Sequence, residues 1–255
     1  MDAISPLIST ADLIFALMVA LVAGFVKGVV GFAMPLVFVS GLTMIMAPDL
    51  ALAGLILPTL VSNGQQALRQ GPRAAIESTL RFRTFLIAGG LALLVSAQFV
   101  RILPAQVMLL VIGGPVTFFA LLQLVGWRPK LARRSRPLEA AVGGVAGALG
   151  GVSGIWGPPT VLYLTALDTA KHDQMRVQGV IYGLGAVALV IAHAVSGVLR
   201  METLWFSAAL VVPAGIGMWV GGRIMDRIDQ TVFRRLTLLV LTIAGLNLLR
   251  RAIWG

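Results

Sequence analysis

A lysine at position 27 sits inside an apolar run, in the string GFVKGVVGFAMP that begins at Gly24. An ammonium within a membrane segment is costly and faces a cavity or a partner. Beside a glycine turn it can attract and hold an anion. The other open reading is that its long side chain snorkels to an interface. A second string, GALGGVSGIWGP from Gly147, fits the same pattern G-x3-G-x2-G-x3-P, 123 residues after the first. It pairs Gly24 with Gly147, Gly28 with Gly151, Gly31 with Gly154 and Pro35 with Pro158. Glycine lets a chain turn and lets a ligand approach the backbone. A helix that restarts beyond such a break offers free N–H groups to an anion. Close helix packing through small residues, as at Gly143, Gly147 and Gly151, is the alternative.

Two polar stripes accompany these strings. Thr59, Asn63 and Gln66 recur at spacings of four and three on one apolar helix, with Pro58 beside them to kink it. Gln178 and Tyr182 lie at i and i+4 on a later helix, with Arg176 near its start. Neutral donors can surround an anion without the cost of burying a second charge. Taken singly, each such residue reads as interhelical glue, worth about 0.6 kcal/mol per hydrogen bond on average; the two stripes together read as a binding site. The candidate substrate-binding set is therefore Lys27, Gly28, Gly31, Asn63 and Gln66 in the first half. In the second half it is Gly151, Ser153, Gly154, Arg176, Gln178 and Tyr182, with Trp156 as a wall. Ser153 also stands in a G-x-S-G string, and His193 follows on a later helix, a pattern reminiscent of intramembrane serine proteases. A serine nucleophile needs a base within reach, and the repeated copy has Val30 in place of Ser153. No catalytic residue, metal site or cofactor is assigned. The chain has no Cys, which excludes disulfides and thiolate sites.

The elements that must position these residues are membrane helices. The 255 residues are 58% hydrophobic and only 12% charged, and the mean hydropathy is +0.94. Soluble domains usually carry about 25% charge. Water-soluble, disordered and nucleic-acid-binding classes are excluded, and the lipid bilayer is the implied partner. The first charged residues are Asp2 and Asp12, so the first apolar stretch reads as a helix to be kept and not as a signal peptide. Ten segments emerge near 11–30, 32–46, 50–68, 81–101, 104–126, 138–153, 155–168, 174–199, 204–222 and 236–252. The second, sixth and seventh are too short to cross a core of about 30 Å, and read as half-helices or arms of re-entrant hairpins. The basic stretch WRPKLARRSRP divides the chain into a first repeat (1–126), a solvated linker (127–137) and a second repeat (138–255).

If the segments cross alternately, all of the 20 Lys and Arg except Arg101, Arg200, Arg250 and Arg251 fall on one side. That bias puts the linker in the cytoplasm and both termini outside. Five segments per half is an odd number, so the halves are inverted. The expected fold is an all-α polytopic membrane protein of two inverted repeats, with helices broken at the Gly-rich turns. Such pairs of broken helices build the substrate sites of secondary transporters near the bilayer centre.

The paired G-x3-G-x2-G-x3-P strings, one per half around a basic linker, resemble the TauE/SafE sulfite exporter family over essentially the whole chain. The first string departs from a Gly-rich pattern by carrying Lys27 and Phe32 where the second has Gly150 and Ile155. The resemblance implies a bacterial inner-membrane transporter of small anions, chiefly sulfite and organosulfonates, working by alternating access. It is not an enzyme, and a homodimer is left open. A passive anion channel is the alternative reading.

Overall fold

The Ser9 hydroxyl accepts the Asp12 N–H at 3.1 Å and so starts the first helix, α1 (Thr10–Val30). The computed structural model describes residues 8–42, 44–97, 105–127, 131, 133–153, 156–195 and 201–254. Among them the regular structure is wholly helical. After α1 come α2 (Met34–Leu42), α3 (Pro48–Leu68), α4 (Pro72–Arg81), α5 (Arg83–Ala97) and α6 (Ala105–Leu124). The second half holds α7 (Arg136–Ser153), α8 (Gly157–Ala166), α9 (Lys171–Val195), α10 (Met201–Arg227) and α11 (Gln230–Trp254). Three helices, α1, α10 and α11, are long and apolar enough to cross a membrane. The bent pair α4–α5 makes a fourth span if its two arms are counted as one.

The expected segments are recovered with three differences. The loop expected between the third and fourth segments contains α4, a ten-residue helix bent 73° from α5. Its Ile76 and Leu80 are exposed while Ala75 and Ser78 are buried, so it presents one face to the bundle and an apolar edge outward. The linker is also more than a solvated strap. Leu131 donates its N–H to the Ala166 carbonyl at the end of α8, at 2.9 Å. Arg134 stacks its guanidinium 4.3 Å over the Phe82 ring and pairs with Glu139. As expected, α2 and α8 are short, with nine and ten residues, which at 1.5 Å per residue is about half a bilayer core. α7 is longer than expected, at 18 residues, or about 27 Å.

Packing runs through backbone. α1 lies along α10, α5 along α7, α6 along α11, and α3 along α9, with α2 between α1 and α3 and α8 between α7 and α9. A Cβ added at Gly24 would sit 2.0 Å from the Ala214 carbonyl oxygen, and one at Gly217 2.0 Å from that of Leu21. Gly28 and Gly221 continue the same seam against Met218 and Phe25. On the other pair, Gly143 meets Phe85 and Gly147 meets Gly89 in the same manner. Helices in lipid gain little from burying apolar surface against each other, so close backbone contact of this kind is what holds them.

One end of the bundle is tied by polar contacts. Arg69 at the end of α3 pairs with Asp226 of α10 at 2.5 Å. Lys171 gives its ammonium to the carbonyls of Met225, Asp226 and Ile228, closing the exposed end of α10. Glu139, whose side chain is 2% exposed, accepts the Phe85 N–H at 3.3 Å and so caps the first turn of α5 from α7. Its charge is met by Arg134. Arg134→Ala is therefore expected to cost about 3–5 kcal/mol, the usual penalty for orphaning a buried charge. Thermal unfolding in detergent measures this, and adding Glu139→Gln should recover most of the loss.

Candidate functional site

α1 ends inside the bundle. Gly31 takes φ +85° as its cap, donating its N–H to the Lys27 carbonyl at 2.7 Å. A side chain is excluded there twice over. The backbone is left-handed, and a Cβ would lie 2.0 Å from Gln178 Oε1 and 2.5 Å from the Met175 sulfur. Two residues on, Ala33 is also left-handed at φ +71° before α2 begins. This is the expected helix break.

Lys27 lies one turn before that cap and is 2% exposed. Its Nζ donates to Ser62 Oγ at 2.8 Å and to Asn63 Oδ1. Among the described residues no carboxylate comes within ion-pair distance of it. The C-terminal end of α1 brings partial negative charge to the same place, which offsets part of the cost of burying the ammonium. The snorkelling alternative does not describe this side chain, which turns inward onto α3.

Gln66 ties the break to α9. Its Nε2 donates to the Gly31 carbonyl at 3.0 Å and to the Met175 carbonyl at 2.7 Å. Gln178 presses its amide against Gly31. Among the described residues, Gln66 Oε1, both amide atoms of Gln178, and Thr59 Oγ1 are buried without a hydrogen-bond partner. Buried polar atoms are rarely left so. Four such atoms lie on α3 and α9, the two helices that flank the Gly31 break and the Lys27 ammonium.

Tyr182, one turn beyond Gln178, donates to the Gly157 carbonyl at the start of α8, at 3.2 Å. A Cβ at Gly157 would lie 3.7 Å from the Phe32 ring, so the two helix breaks adjoin. The structure thus gathers Lys27, Gly31, Asn63, Gln66 and Gln178, with Tyr182 at the edge. It adds Ser62, which the stripe spacing alone did not single out.

The family model described as "Sulfite exporter TauE/SafE" matches residues 16–248. The chain belongs to the TauE/SafE family. Neither a curated protein nor a solved structure matches it. Members of this family are membrane transporters of sulfite and related anions, and not enzymes.

The remaining candidates of this TauE/SafE chain sit elsewhere. Gly28 belongs to the α1–α10 seam. Gly151 and Ser153 close α7, with their side-chain surroundings outside the described residues, as is the side chain of His193. Gly154 lies wholly outside the described residues. Arg176 faces away from the Lys27 cluster, donating to Ser78 at 2.8 Å and pairing with Asp173 at 2.9 Å. Two positions apart on a helix point in different directions, so Arg176 and Gln178 line different spaces.

Trp156 has a distinct place. A Cβ on Gly150 or on Gly185 would lie 2.3 or 2.4 Å from its ring, so the indole fills the space between α7 and α9. Gly150 and Gly185 stand 123 residues after Lys27 and Ser62, respectively. Where the first half puts an ammonium and a hydroxyl, the second puts two glycines and an aromatic ring.

Proposed function

We propose that the chain is a secondary transporter of a small oxyanion, sulfite or an organosulfonate, bound at Lys27 between the two helix breaks. The observation that carries this is the buried Lys27 ammonium, held by Ser62 and Asn63 and facing no carboxylate among the described residues. The orphaned amide atoms of Gln66 and Gln178 supply the neutral part of the shell. The family's transport of sulfite and related anions agrees with the charge and the size of that shell.

Alternating access by inverted repeats is part of the same reading. The helix pairing supports it: exchanging the first five segments for the second five, with α4 and α5 taken as one, turns α1–α10 into α7–α5. The same exchange leaves α3–α9 and α6–α11 unchanged. The bonds among α3, α4, the linker, the α8–α9 turn and α10 gather the basic residues at one end. The positive-inside bias makes that end cytoplasmic in a bacterial inner membrane. The cluster is closed to solvent, so release needs α3 and α9 to part.

Ligand-induced thermal stabilisation of the purified protein tests the substrate. Sulfite, sulfate, thiosulfate, sulfoacetate, taurine, phosphate and acetate are compared at matched ionic strength. A ligand that binds only the folded state stabilises it by RT ln(1 + [L]/Kd), about 2.7 kcal/mol at one hundred times Kd. The expected result is a larger shift with sulfite or an organosulfonate than with phosphate or acetate, the excess being lost in Lys27→Met. An equal shift with acetate and phosphate would sink the substrate assignment. Saturable flux with trans-stimulation in proteoliposomes separates the carrier from a passive channel.

A further inference from the structure

A second polar cavity, of about 350 Å³, opens at the basic end of the bundle, on the far side of the first turns of α9 from Gln178. Ser78 and Arg81 of α4, Arg133 and Arg134 before α7, and Arg176 of α9 line it. Its volume lies at the small end of ligand pockets, about 300–1,000 Å³. Two carboxylates also line it, Asp168 and Asp173. Asp173 neutralises Arg176 within the lining, at 2.9 Å, and Asp168 lies 3.9 Å from Arg234 of α11, which leaves Arg81 and Arg133 as the cations in excess. Arg134 is engaged through Nη2 by Glu139 and the Arg81 carbonyl, and its guanidinium lies beside the Tyr163 hydroxyl. Arg81 and Arg133 have no carboxylate within ion-pair distance among the described residues.

We infer that this cavity is a second oxyanion site, separate from the Lys27 cluster. Guanidinium groups present paired N–H donors that match the oxygens of a sulfate or phosphate. Here two guanidinium groups, Arg81 and Arg133, are exposed at the cavity and have no carboxylate partner among the described residues. The cavity is set by the 73° bend between α4 and α5, which brings Ser78 and Arg81 over the start of α9. The ligand is a tetrahedral or pyramidal oxyanion, either free in solution or carried on an anionic lipid headgroup. The inference does not depend on what Lys27 binds.

The test uses full-length protein carrying Lys27→Met, which removes the central cation, with and without Arg81→Gln and Arg133→Gln. Arg134 is left in place because it holds Glu139. Radiolabelled sulfate binding is measured in phosphatidylcholine nanodiscs, and retention of phosphatidylglycerol by native mass spectrometry. Sulfate bound by Lys27→Met and weakened about tenfold for each arginine removed makes the ligand a free oxyanion. Phosphatidylglycerol retained without sulfate, and lost in the triple variant, makes it a headgroup. Failure of Lys27→Met to hold either ligand, or equal retention by the triple variant, overturns the site. The same two arginine changes in the chain with Lys27 intact guard against a folding defect of Lys27→Met. Failure of central binding alone leaves this result standing.

Discussion

Lys27→Met is expected to abolish anion transport while leaving the protein folded. Methionine fills a similar volume, so packing against Ser62 and Asn63 of α3 survives. What is lost is the one cation of the cluster. Removing a buried, hydrogen-bonded charge from a complex typically costs about 2–5 kcal/mol, or about 30-fold to a few thousandfold in binding. Stability responds to two opposing terms. Ser62 and Asn63 each lose a donor, at about 1–3 kcal/mol apiece. Against that, the ammonium no longer has to be taken out of water, a penalty of several kcal/mol in protein interiors. The two nearly cancel, so the expected melting temperature lies within a few degrees of the parent. Flux in proteoliposomes and the thermal melt, taken on one preparation, read both quantities. Unchanged flux would move the substrate site away from Lys27, whatever the melt shows.

The second large effect concerns two glycines in one helix. Gly147→Ala is expected to destabilise the protein strongly, and Gly144→Ala to stabilise it slightly. A Cβ at Gly147 would lie 1.9 Å from the Gly89 oxygen and 2.6 Å from its carbon. Neither is a flexible group, so α5 and α7 would have to separate along their length. Overpacking a tight core costs about 1–3 kcal/mol and sometimes more; a backbone-to-backbone clash belongs at or above the top of that range. A Cβ at Gly144 meets nothing within 4 Å, and replacing a mid-helix glycine by alanine gains about 0.5–1 kcal/mol. Opposite signs three residues apart would show that α7 is held by contact at one face. Equal effects would mean that α5 and α7 do not touch in the membrane.

Much of this was legible in the residues. Hydropathy located the long helices because each is an unbroken apolar run, and the two strings located both breaks. The glycines of the first string turned out to divide their labour: Gly24 and Gly28 pack against α10, while Gly31 makes the turn. Sequence cannot separate those tasks, since each asks only for a missing side chain. α4 escaped because ten residues with Arg73, Glu77 and Arg81 dilute any window wide enough to find a span. Ser62 escaped because serine is unremarkable in a membrane helix until a lysine from another helix reaches it. Arg176 looked like a neighbour of Gln178 along the chain. Its other partners, Ser78 and the arginines around it, come from segments 40 to 100 residues away, and no spacing rule carries that distance.

The indole wedged between Gly150 and Gly185 has a consequence for charge matching. A two-fold dimer of identical half-chains would carry every residue twice, so a lysine on one side would bring a second on the other. Two ammoniums in one dry space repel, and together they would balance a dianion. On the inverted-repeat reading proposed above, joining both halves in one polypeptide frees them to diverge: Lys27 and Ser62 stand 123 residues before Gly150 and Gly185, between which the Trp156 ring packs. A lone positive charge is neutralised by a ligand of charge minus one. Bisulfite and a simple alkanesulfonate have that valence, whereas sulfate and sulfoacetate carry two negative charges.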